Sequence, residues 1–155
     1  MKLLLARLQN RRLALPLASV ERVILRPRLE VLPDLPAWLA GFLQLPGETL
    51  PVLDVGALFE GQRCPWDLYN PIVITRDEGN LALLFTAVEG LVEIPPEDFR
   101  PLQPDDSFQG VAAALIPRSQ EWAPIIVPKL LLIAQEQRKL EHWRDILNQR
   151  VERLR

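Results

Sequence analysis

Few residues in this chain have the chemistry of a catalyst, and their spacing keeps them apart. Cys64 is the only cysteine and His142 the only histidine. A thiol needs an adjacent base to work as a nucleophile, and His142 lies far along the chain on a charged, helix-like segment. One histidine cannot build a transition-metal site without several Cys, His or carboxylate ligands beside it. Asp105-Asp106 is the densest carboxylate pair, but it stands between Pro104 and Ser107 in a loop-like run where nothing separates the two pKa values. Ser19, Ser107 and Ser119 lack the strand-turn-helix setting of an activated serine, and no glycine-rich phosphate loop is present. Asp54 follows an apolar strand and precedes a short helical pattern, so its expected role is to cap that helix. The residues predict a chain that is not an enzyme and that holds neither cofactor nor metal.

The charge pattern narrows the remaining classes. Net charge is −2, and the basic group Arg7, Arg11 and Arg12 is not interleaved with aromatics, so nucleic acid is not an expected partner. The run Leu3 to Ala6 is too short for a signal peptide and no stretch has the length of a membrane span, which predicts a cytoplasmic protein with no direct membrane insertion.

The elements that position these residues are mostly short strands. Leu3 to Leu8 and Leu13 to Leu17 flank the polar turn Gln9 to Arg12 and predict a hairpin, with Pro16 at an edge or bulge. Ser19 to Ile24 is read as one helical turn capped by Ser19. Pro27, Pro33 and Pro36 keep the next stretch irregular, and Pro36 to Leu39 is read as a short helical turn. Gly41 to Asp54 is read as a hairpin around Pro46-Gly47, where proline presets φ and glycine supplies a positive φ. Val55 to Phe59 follows as a short helix, and Gly61 to Asn70 as a linker. Ile72 to Thr75 and Leu81 to Phe85 pair across Asp77 to Asn80, Val88 to Ile94 is a further strand, and Phe108 to Ile116 pairs with Ala123 to Val127. Many short strands with frequent turns indicate barrels and not a parallel sheet. The expected core is continuous and includes Leu4, Leu15, Val20, Leu43, Val52, Ile74, Leu83 and Val111.

From Pro128 the pattern becomes helical. Neither proline nor glycine occurs from Lys129 to Arg155, a helix of about 40 Å at 1.5 Å per residue. Ile133, Leu140, Leu147 and Leu154 recur every seven residues, and Trp143 and Val151 widen the stripe. That stripe needs burial, either on the chain's own barrels, as expected for Leu130 to Ile133, or on a partner helix or second copy, as expected for the half from Leu140 to Leu154. The division expected is a domain of residues 1–134 and a helical extension of residues 135–155.

The ordered set of strands and turns resembles the CheW-like domain of bacterial chemotaxis coupling proteins. The most specific block is Gly41 to Val55, where Gly41, Gly47, Pro51 and Asp54 fit the family pattern. Leu15-Pro16, Val20 to Ile24, the two central strands, Val88 to Ile94 and Phe108 to Ala112 extend the likeness over nearly the whole chain. Thr86 stands where an aspartate is usual, Arg22 where the family tends to an acid, and Pro46 where it has arginine; the family aspartate near Val127-Pro128 is also missing. The resemblance implies a mainly β fold of two intertwined five-stranded SH3-like barrels with a long C-terminal helix. It also implies a non-catalytic adaptor joining a CheA-like histidine kinase regulatory domain to the cytoplasmic tip of a methyl-accepting chemoreceptor. The pathway would be chemotaxis, pilus motility or phototaxis. The expected protein-binding residues are Val20, Arg22, Gly41, Pro46 and Gly47, with Leu140, Trp143, Leu147, Val151 and Leu154 on the helix. The reading from a different class is an RNA-binding SH3-like barrel, or another interaction module unrelated to chemotaxis.

Overall fold

A computed structural model describes residues 1–25, 27–65, 70–76, 81–101, 110–128, 131 and 134–153. The turn at Asp77 to Asn80, Asp105-Asp106, Ser107, Phe108-Gln109, Leu130, Leu132, Ile133, Leu154 and the side chain of Val111 lie outside the described residues.

Local turn chemistry builds most of the hairpins. β1 (Lys2–Arg7) and β2 (Arg12–Pro16) pair antiparallel. β4 (Leu39–Leu45) and β5 (Glu48–Asp54) pair around Pro46-Gly47, with Gly47 at φ +81°. β6 (Pro71–Thr75) pairs with β7 (Ala82–Leu84), and β10 (Gly110–Leu115) with β11 (Trp122–Ile126). Asp54 caps α1 (Val55–Glu60): its Oδ1 accepts from the Ala57 N–H at 3.1 Å.

The non-local pairings sort the strands into two sheets. One has the order β8-β1-β2-β11-β10-β9, with β8 at Ala87–Glu93 and β9 at Phe99–Pro101. The other has the order β3-β6-β7-β5-β4, with β3 at Val20–Leu25. Two contacts in these sheets are parallel, β5 with β7 and β11 with β2. The fold is mainly β, as expected. Among the described residues neither ladder closes on itself, so closed five-stranded barrels are replaced by an open six-stranded and an open five-stranded sheet. Closure of the second sheet stops at a single bridge, Glu30 to Phe42. The physical reason lies in Pro27 and Pro33, which stop β3 from continuing as a hydrogen-bonded strand.

The core is divided where one continuous core was expected. Because side chains alternate across a strand, each sheet buries two separate sets. Leu4, Leu13 and Leu15 of the first sheet meet Phe42, Leu53, Val73 and Leu83 of the second in a cluster between the sheets. Leu3, Leu5, Ala14 and Ile125 form another cluster on the far face of the first sheet. Leu43, Leu50, Val52, Ile72 and Ile74 form a third on the far face of the second. Leu43, Val52 and Ile74 thus have the opposite parity from Leu4, Leu15, Val20 and Leu83.

Three local expectations are corrected. Val20 to Ile24 is strand, not helix; only Leu17–Ser19 makes a 3-10 turn, and the β-branched Val20, Val23 and Ile24 favour the pleated β3. Pro16 ends β2, which is an interior strand, so its missing N–H interrupts no long ladder. Pro36 to Leu39 is a hydrogen-bonded turn, Leu39 N–H to Pro36 O at 3.1 Å, that leads into β4. The C-terminal helix, α2, runs Ala134–Arg153, and before it the Leu131 N–H donates to Pro128 O at 3.2 Å.

Candidate protein-binding groove

β2 ends at Pro16, and the 3-10 turn carries the chain across to the second sheet. The Arg76 N–H donates to Ser19 O at 3.0 Å, which holds the end of β6 against the start of β3. Between these elements and the start of β1 lies a groove of about 630 Å³. Pro16, Leu17 and Ala18 form an apolar wall, and Val20, only 7% exposed, forms part of the floor. Lys2 and Arg76 stand at its rim with Glu21. An apolar groove with a mixed-charge rim suits a protein surface better than a small substrate, because no converging acid-base pair faces into it.

A second surface lies where α2 meets the β4–β5 turn. Leu140 (3% exposed) and Leu147 (4%) insert into the cluster between the sheets, and Trp143 and Ile146 pack against it. Near the helix end, the Thr49 hydroxyl and Asn148 Oδ1 are 3.2 Å apart. Val151 and Glu152 line a notch of about 350 Å³ with Gly47 and Glu48.

Arg12, Asp54 and Cys64 are engaged within the fold. Arg12 Nε donates to Glu89 at 3.0 and 3.2 Å, and its Nη1 donates to Glu121 at 2.6 Å. Glu89 foremost, with Glu121, raises the Arg12 pKa, so this cation is committed to two carboxylates and not offered to phosphate. Asp54 uses both oxygens, accepting from Ala57 N–H and from Cys64 N–H at 3.1 and 3.2 Å. Burial first, and then the Asp54 charge, push the Cys64 thiol up to about 12, so it stays protonated near neutral pH. His142 is exposed on α2. Thr86, standing where an aspartate was expected, has its hydroxyl buried without an oxygen or nitrogen partner among the described residues. Among the described residues no three His, Cys, Asp or Glu side chains gather as a metal site, and no helix is long and apolar enough to cross a membrane.

The expected binding residues separate into three kinds. Val20 is buried and lines the groove, whereas Arg22 is exposed on β3 and is not among the lining residues. Pro46 and Gly47 are exposed in their turn, and the structure brings Gly47 close to Val151 of α2. Gly41 is buried, and its position is structural: at φ +152° an added Cβ would stand 2.8 Å from Glu30 O. Leu140 and Leu147 are committed to the chain's own core, because the outward face of α2 carries Glu141, His142, Asp145 and Gln149 instead. That corrects the expectation that these two leucines form a free seam. Lys2, Leu17, Glu21 and Arg76 were missed. The signal that could have found them was the antiparallel pairing of β3 with β6, hidden by reading β3 as helix.

A model of the CheW-like domain matches residues 2–136. The chain belongs to the CheW-like domain family. Among solved structures it is similar to the scaffolding protein TtCheW from Thermoanaerobacter tengcongensis, with a TM-score of 0.73 and 21% identity. That similarity covers 81% of this chain and 88% of the other. No curated protein matches the chain.

Proposed function

We propose that this protein is a non-catalytic adaptor that couples a chemoreceptor-type sensor to a histidine kinase. Membership of the CheW-like family supports the class. The observation that carries the reading is the groove at the junction of the two sheets, with Leu17 half-buried on its wall and none of the described elements filling it. A receptor's helical tip lies in that groove, with Arg22 at its flank. The kinase regulatory domain meets the exposed Pro46-Gly47 turn at the end of the β4–β5 hairpin. Whether the pathway serves chemotaxis, pilus motility or phototaxis follows from which receptor is bound.

Calorimetric titration with a cognate kinase regulatory domain and, separately, a receptor cytoplasmic fragment tests this. Binding to both is expected. Leu17→Glu should abolish receptor binding and leave kinase binding intact, since it places a carboxylate on the apolar wall. No heat and no co-elution with either partner at tens of micromolar would overturn the proposal.

A further inference from the structure

On the adaptor reading of the groove, we infer that the Met1 thioether is one of its contacts, that a peroxide oxidises it, and that the resulting sulfoxide weakens the hold on the receptor helix. A residue ahead of the first strand is ordinarily loose unless the sheet ties it down. Here the Met1 nitrogen donates to Ile94 O at 2.9 Å, and the Ile94 N–H donates back to Met1 O at 2.9 Å. Those two bonds extend the β1–β8 ladder one residue past the pair of Lys2 with Glu93. The backbone is thus fixed at the start of β1, and Met1 lines the groove together with Pro16, Leu17 and Val20. It is 56% exposed, so an oxidant in solution reaches it.

Methionine suits an apolar surface that has to fit a helix, because its unbranched, polarisable side chain adapts to what it meets. The same sulfur is where the groove can change chemically. Hydrogen peroxide gives it one oxygen: a sulfur lone pair forms the S–O bond, the O–O bond breaks, and the rest of the peroxide leaves as water. Sulfur is oxidised by two electrons and the peroxide is reduced by two. The sulfoxide is polar, and covering it with an apolar helix face costs the water held on the new oxygen. A thiol-dependent reductase reverses the change, two thiols becoming a disulfide as the oxygen leaves as water, so the contact is a switch. Met1 is the only methionine in the chain. The other sulfur, in Cys64, is protected: it is half-buried, it donates to Leu84 O, and burial keeps the thiol protonated and a poor nucleophile toward peroxide.

The test is to treat the full chain with dilute hydrogen peroxide, map the product by peptide mass, and titrate it with a receptor cytoplasmic fragment and, separately, with the kinase regulatory domain. One added oxygen on Met1 is expected, with receptor affinity falling about tenfold and kinase affinity unchanged. Expression with norleucine in place of methionine alters this residue alone, since the chain has no other methionine. The norleucine form should bind the receptor fragment like the untreated chain and be indifferent to peroxide, because a methylene replaces the sulfur. Methionine sulfoxide reductase with dithiothreitol should restore binding to the oxidised chain. Equal receptor affinity before and after oxidation overturns this inference and leaves the adaptor reading standing. So does a norleucine form that loses affinity on peroxide treatment, or oxygen added elsewhere with Met1 unchanged. No receptor binding by the untreated chain overturns the adaptor reading, and this inference with it.

Discussion

The two flanks of the five-stranded sheet are finished in opposite ways. At the β4 and β5 flank the chain covers itself: Glu30 caps the edge of β4, and α2 lies against β5 with Leu140 and Leu147 in the core. At the β3 flank nothing described follows the edge, and the groove beside it stays open. Both flanks carry apolar residues. What differs is that the first flank is covered by other segments of the same chain, whereas none of the described residues covers the second. The apolar groove at β3 is therefore read as binding surface, while the equally apolar stripe on α2 is core.

That comparison can be broken most sharply at the helix. Leu147→Ala should destabilise the fold by about 2–5 kcal/mol, as for other leucines truncated inside a packed core. Truncation after Ala134 should then abolish cooperative unfolding in urea and not merely weaken an association. A truncated chain with an unchanged midpoint would return α2 to the status of a detachable extension. Gly41→Ala is the next largest effect, about 1–3 kcal/mol, because the new Cβ meets Glu30 O in a backbone conformation suited to glycine. Equal denaturation midpoints for Gly41→Ala and the unaltered chain would show that the Glu30 cap yields freely. The smallest effect concerns Cys64. Its thiol, raised to about 12 from a reference of 9.0, should alkylate slowly at pH 8 in the folded state and fast in urea. Since only the unfolded thiol ionises between those values, its contribution to stability is present below pH 9 and is lost as pH rises toward 12. Rapid labelling of the folded chain at pH 8 would show that the α1 flank is open.

Elements set by near neighbours were legible in the sequence. The Pro46-Gly47 turn, the Asp54 cap and the β10–β11 hairpin depend on residues a few positions apart, and their chemistry is written locally. β3 was not legible, because Ser19 offers a helix cap while Val20, Val23 and Ile24 favour a strand. Pairing with β6, about fifty residues away, decides between them. The division of the core was hidden for a related reason: alternation shows that a strand has two faces, but not which face looks toward the other sheet. At the candidate groove, Val20 was found through its place in a resemblance, whereas Arg76 is brought to it by the pairing that its backbone bond to Ser19 continues.

The order of the strands also has a consequence in time. Every strand of the five-stranded sheet lies between Val20 and Leu84, so that sheet is complete once the middle of the chain has left the ribosome. The other sheet cannot be completed then. β1 and β2 must wait for β8 and for β11, which ends at Ile126. During synthesis the first hairpin is a strand pair with both edges bare, and Leu3, Leu4 and Leu5 lack their final cover. The parallel contact of β2 with β11, joining segments more than a hundred residues apart, is the late and slow event of folding. The Arg12 link to Glu89 and Glu121 ties the same early and late segments together at the surface, so the beginning of the chain is locked by its last strands.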